Sequence, residues 1–296
     1  MTTPFLSRKI PALVLLFTGL AGLLSCTARI DVNTEASPSR LIINGHISAD
    51  TLRHSIKITR SSGYFSTSKP EGVSHAAVSI HTDRETFLLK ESAAEAGLYQ
   101  TEKSVCGTEG ETYRLSVILD FDEDGLPEEY QAVSYMPGAP RIDSIGIRPS
   151  VILDDFLEVL VWGYMPEEKE NYLSFHLYRN YELVNDSLQG FFIIDDLYMN
   201  KKEITGVSCF YLDQTEDKNL LRQGDLITMR IDGITKEYAT FINDAQAELR
   251  GSDPIFSGPP ANVGTNIVSK NPSAHIQVSG FFTAFSGNKK TTVYRY

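Results

Sequence analysis

Asp120, Asp122 and Asp124 stand at alternating positions ahead of Gly125, a spacing that can gather hard oxygen ligands around a cation. A calcium loop of this kind takes carboxylates at positions 1, 3 and 5, the Leu126 carbonyl at 7 and the Glu128 carboxylate at 9. The twelfth place holds Gln131 rather than a bidentate Glu, and the pattern occurs once, with no flanking helices. The other reading is a solvated acidic hairpin tip between a strand ending near Val117 and the next, Tyr130 to Tyr135. In either case the loop would stiffen the chain rather than perform a reaction. The histidines His46, His54, His75, His81, His176 and His275 lack the spacing of a zinc site. No Gly-x-Ser-x-Gly elbow, phosphate-binding glycine loop or dinucleotide fingerprint is present, so the expectation is a protein that is not an enzyme. Cys106 and Cys209 are either one disulfide, which an oxidising compartment permits, or two separate thiols; pairing requires Cα atoms within about 7 Å. Trp162, Tyr164, Tyr172, Tyr178, Tyr181 and Tyr198 crowd one stretch. Facing solvent, they would stack on sugar rings or anchor a protein partner; packed, they are ordinary core and sheet-edge residues.

A third cysteine sits in different company. Arg8 and Lys9 precede an apolar run from Ile10 to Leu24, too short to span a bilayer, which needs about 20 apolar residues. The run closes in Leu23-Leu24-Ser25-Cys26, which resembles the bacterial lipobox, in which the thiol is lipid-modified and the signal is cut before the cysteine. Leu24 is bulkier than the usual residue there. Residues 1–25 are therefore expected to be a lipoprotein signal peptide and Cys26 the lipid attachment site, with residues 26–39, polar and broken by Pro38, a tether. Cleavage removes two positive charges from a chain whose net charge is already −11. Such a surface does not attract nucleic acid or anionic lipid, so attachment to a bilayer has to come from the acyl chains.

The rest of the chain reads as strands. Ile56 and Ile58 alternate with Lys57 and Thr59; Ala76, Val78 and Ile80 share a face, as do Tyr113, Leu115 and Val117. Short strands about ten residues apart, punctuated by Gly and Ser, predict a β-sandwich. Met136-Pro137-Gly138-Ala139-Pro140 reads as a joint, dividing residues 40–137 from residues 141–296. One helix is expected, at about 235–250, capped by Thr235, with Tyr238, Phe241, Ile242, Ala245 and Leu249 as its buried stripe. The fold class is thus all-β: two β-sandwich-like domains, the first similar to immunoglobulin-like and transthyretin-like modules, the second with one packed α-helix.

Several scattered stretches together carry a family resemblance. They are Leu41-Ile42-Ile43-Asn44-Gly45, Gly110-x-x-Tyr113-x-Leu115-x-Val117, Pro140-Arg141-Ile142-Asp143-Ser144-Ile145, Lys236-Glu237-Tyr238, Asp253 through Pro260, Asn262, Thr265-Asn266-Ile267 and Gly280-Phe281-Phe282. With the lipobox, their order resembles the Bacteroidota lipoproteins grouped as domain-of-unknown-function family 4249. The resemblance implies an outer-membrane-associated lipoprotein partnered with a TonB-dependent receptor, on the periplasmic or the cell-surface face. It defines no catalytic residues. Asp50-Thr51-Leu52, Asp143-Ser144-Ile145 and Asp186-Ser187-Leu188 resemble O-glycosylation sites of exported proteins in this bacterial group, which would place sugars on Thr51, Ser144 and Ser187 where the hydroxyl is exposed.

Overall fold

The computed structural model describes residues 39–61, 69–167, 170–197, 202–250, 263–271 and 276–295. The expected signal peptide, Cys26, the expected tether up to Pro38, Tyr198, the stretch Asp253 to Pro260, Asn262 and His275 lie outside them. The first half holds β1 (Leu41–Ser48), β2 (Ser55–Arg60), β3 (Glu71–Gly72), β4 (Ala77–His81), β5 (Thr86–Ser92), β6 (Glu95–Thr101), β7 (Thr112–Leu119) and β8 (Glu128–Tyr135). Then come β9 (Arg141–Pro149), β10 (Phe156–Tyr164), β11 (Tyr172–Arg179), β12 (Glu182–Leu183), β13 (Phe192–Asp195), β14 (Glu203–Asp213) and β15 (Leu226–Ile234). Among the described residues one long helix, α1 (Lys236–Arg250), precedes β16 (Val268–Ser269), β17 (Val278–Ser279) and β18 (Phe282–Val293). The protein is all-β, as the strand spacing predicts, and residues 38–296 form one compact unit. Among the described residues no helix is long and apolar enough to cross a membrane.

Period-two burial does the folding. In β7 Tyr113, Leu115, Val117 and Leu119 turn inward while Arg114 and Ile118 face out. They join Ile43, Ile47, Ile56, Ile58, Ile80, Tyr99 and Tyr130 in a first core, to which Ile267, Phe282 and Ala284 contribute from far along the chain. A second core lies between two facing sheets. The three-stranded sheet β14-β10-β9 supplies Ile142, Val159, Val161 and Ile204, and β11 and β15 supply Leu173, Phe175, Leu177, Ile227, Met229 and Ile231.

The long sheet runs β12-β11-β15-β18-β1-β2-β6-β5-β4-β7-β8-β16. β18 therefore stands between the halves, parallel to β1 through Gly45 and Phe282 to Ser48 and Phe285, and antiparallel to β15 from Gly233 and Ser286 to Leu226 and Val293. Side chains secure it to the joint: Ser286 Oγ donates to Pro137 O at 2.7 Å and Asn288 Nδ2 to Pro140 O at 3.2 Å.

The helix differs from its expected stripe. Thr235 does cap it, its Oγ1 accepting from Tyr238 N at 3.2 Å. Ile242 is buried and Tyr238, Phe241 and Ala245 half-buried as expected, but Ala239 and Gln246 complete the inward face and Leu249 is exposed. Gln246 displaces the expected leucine because the helix packs on the turn Leu188–Gly190, whose carbonyls need a donor; Gln246 Nε2 gives hydrogen bonds to Leu188 O (2.8 Å) and Phe191 O (2.7 Å).

Candidate functional site

The acidic loop joins β7 to β8. Ligand oxygens of Asp120, Asp122 and Asp124 come within 4.8 Å of one another. The same carboxylates also hold the turn: Asp120 accepts from Asp124 N (3.1 Å) and Gly125 N (2.9 Å), and Asp124 from Leu126 N (2.7 Å). Gly125 takes φ +85°, and Glu123 accepts the left-handed region at +63°. Glu128 departs from its expected ligand role. It is buried at the start of β8, where its carboxylate accepts from Phe121 N at 3.0 Å. Leu126, the expected carbonyl ligand, is exposed.

A second constellation forms where β1, β2, β18 and α1 meet. A cleft of about 340 Å³ is lined by Asn44, Gly45 and His46 of β1, Ser55 and Lys57 of β2, Tyr238 and Phe241 of α1, and Phe281, Thr283 and Phe285 at β18. Tyr238 and Phe241 stack with planes 16° apart, and Phe281 closes on them with ring centroids 5.4 and 4.9 Å away. His46 packs on Phe285 at 5.2 Å and edge-on to His54 at 6.3 Å. Burial first, then the neighbouring His54 and Arg230, pushes the His46 ring below its ordinary value against the opposing pull of Asp232 and Asp50, so it is neutral at pH 7. Burial, with a smaller contribution from the Asp232 charge, pushes the Tyr238 phenol up to about 12, which keeps it a hydrogen-bond donor. The Thr283 hydroxyl is buried without a hydrogen-bond partner among the described residues.

Behind His46 and Phe285 runs a chain of charges. Arg230 Nη1 pairs with Asp50 at 2.8 Å and Arg230 Nε with Asp232 at 2.6 Å, while the other Asp232 oxygen lies 3.2 Å from His176 Nε2. Gly287 makes this possible, since a Cβ there would overlap both the Asp232 carboxylate and the Arg230 guanidinium. The guanidinium stands 5.8 Å from the Phe285 ring centroid. Burial opposes the charge on Arg230, but its two carboxylates more than restore it.

The remaining expected residues do not gather at either place. Thr51, Ser144 and Ser187 are all exposed, Ser187 with its Oγ capping the turn at Gly190 N. Trp162 lies across the backbones of Gly146 and Gly206, Tyr164 sits 4.5 Å under the Arg141 guanidinium, and Tyr181 stands at a turn with φ +75°. Cys106 and Cys209 are free thiols, which corrects the disulfide alternative. Cys106 is exposed beside Ala49, its Sγ donating to the Ala49 carbonyl, while Cys209 packs against the second core, where burial pushes its thiol up to about 12. The cleft and its charged backing escaped the sequence reading. For the charged backing the sequence signal is Arg230-Ile231-Asp232, two opposite charges alternating with apolar residues in a strand otherwise destined for the core.

The all-β body thus carries two apolar cores, a half-aromatic cleft and a carboxylate-held hairpin. The family described as Domain of unknown function (DUF4249) matches residues 27–291, and the chain belongs to that family. A search of curated proteins finds no match to this chain. Among solved structures, the crystal structure of chicken CNTN1 FN1-FN3 domains is similar at 14% identity and a TM-score of 0.28, over 67% of this chain and 62% of that one. A likeness that slight carries no argument about function.

Proposed function

We propose that this protein is a Bacteroidota lipoprotein of the outer membrane that works by binding, as a non-enzymatic accessory or ligand-capturing partner of a TonB-dependent receptor in nutrient uptake. The observation that carries the reading is Leu23-Leu24-Ser25-Cys26 at the end of a basic and apolar leader, in front of a chain that belongs to this family. Acyl chains on Cys26 would hold the body at the bilayer, each buried methylene adding about 0.8 kcal/mol. Confinement to the plane of the membrane raises its effective concentration at a neighbouring receptor, so modest affinity suffices. The acidic surface leaves the acyl chains as the means of attachment.

The test is a pull-down of C-terminally tagged protein from detergent-solubilised outer membrane, read by mass spectrometry beside a Cys26→Ala control. A TonB-dependent receptor recovered in near-equal amount with the wild type, and depleted with the variant, is the expected result. Recovery of the bait alone would move the reading to a structural or adhesion protein of the envelope.

A further inference from the structure

The cleft between α1, β1 and β18 has the chemistry of a small-ligand site. Its volume, about 340 Å³, falls at the lower end of the ~300–1,000 Å³ range of such sites. Its aromatic rings come from three separate elements, so they are held rigidly in place by the fold: Tyr238 and Phe241 by the helix, Phe281 by the entry to β18, His46 by β1. Between them stand neutral hydrogen-bonding groups: the Asn44 amide, the Ser55 hydroxyl, the uncharged His46 ring and the Tyr238 phenol. Thr283 lines the same cleft, 3% exposed, with a hydroxyl that no group among the described residues satisfies. A buried polar atom left in this state marks a place where a partner is missing.

The charges nearby are already balanced. The Lys57 ammonium is held by the Glu95 carboxylate and the Ala96 carbonyl, and Arg230 lies between Asp50 and Asp232. An ionic ligand would find no uncompensated charge to meet. The lining asks instead for a molecule with apolar C–H faces to lie on aromatic rings and with hydroxyls around its edge, which is the description of a pyranose.

We propose that this cleft binds a neutral saccharide of one or two rings, stacked on Tyr238 and Phe241 and hydrogen-bonded by Asn44, Ser55, His46 and Thr283. The inference deepens the binding role proposed above, rests on it, and names its ligand class.

The experiment is saturation-transfer NMR on the full chain in detergent against a panel of neutral hexose, pentose and N-acetylhexosamine mono- and disaccharides, with uronic acid and sulfated counterparts alongside. At least one neutral saccharide is expected to receive saturation. Its apparent affinity is expected to fall tenfold or more in Phe241→Ala, a substitution that favours the helix, and severalfold in Thr283→Val, which keeps the volume and removes the hydroxyl. Circular dichroism verifies that both variants are folded. Saturation of charged saccharides alone, of none, or equally in wild type and Phe241→Ala overturns the proposal. The receptor pull-down is scored separately, so a bait without a receptor that still binds saccharide removes the accessory role and leaves the site standing.

Discussion

Glu158 shows how one carboxylate can be kept charged inside a sheet. It is 1% exposed, and burial alone would raise its pKa. Hydrogen bonds from Ser150 Oγ, the Arg148 guanidinium, Ser208 Oγ and Val151 N outweigh that and hold it at about 2. A depressed carboxyl stabilises the fold fully above its ordinary value of 4.5 and loses that contribution as pH falls toward about 2. Urea unfolding followed by Trp162 fluorescence should therefore show stability draining away between those limits in the wild type. Glu158→Gln should be weaker at pH 7 and lack this part of the acid slope; equal slopes would show that the carboxyl is not held down. The sequence offered no hint of this residue, since Glu158 in Leu157-Glu158-Val159 looks like the solvent-facing half of an alternation. What buries it is a cross-strand set of partners from β9 and β14, and pairing between strands is not written in local periodicity.

Individual elements were more legible than the contacts between them. The alternating strands β2, β4 and β7 and the Thr235 cap follow directly from residue pattern, because burial on one face and an unsatisfied helix N-terminus are local matters. The inward face of α1 takes in Gln246 rather than Leu249 because its far end depends on the carbonyls of Leu188 and Phe191, more than fifty residues earlier. The cleft shows the same division: Asn44-Gly45, Lys236-Glu237-Tyr238 and Gly280-Phe281-Phe282 were visible as separate stretches, and only the pairing of β1 with β18 brings their side chains to one place. For the acidic loop, the hydrogen bonds give the carboxylates a task at the level of the turn. Asp120→Ala should cost about 1 kcal/mol in unfolding free energy through loss of the acceptor for Asp124 N and Gly125 N. The same cost in EGTA and in millimolar calcium is expected of a turn-holding residue. A cost that grows with calcium would place an ion in the loop.

Within the body, the two apolar cores share β18, which contributes Phe282 and Ala284 to the first and pairs from Ser286 to Val293 with β15 of the second. Asn266 fastens its entry by donating to Phe282 O (2.7 Å) and accepting from Phe282 N (3.0 Å), and Ser134 Oγ accepts from Ala284 N at 2.9 Å. Loosening either core therefore strips partners from the strand that supports the other. Calorimetry should record one cooperative transition for both cores, with calorimetric and van't Hoff enthalpies in agreement. Two resolved transitions would show that the shared strand does not couple them.

The place of β18 also sets an order of events during biosynthesis. β1 is the first of the described strands to be made, yet the parallel partner that covers its edge, β18, is the last of them to emerge. Until then the early segments lack the neighbour that completes their sheet, and a chain awaiting its final strand stays loosely structured. The sheet of the first core therefore closes only after its most distant described partner has been made, so the body locks late in synthesis.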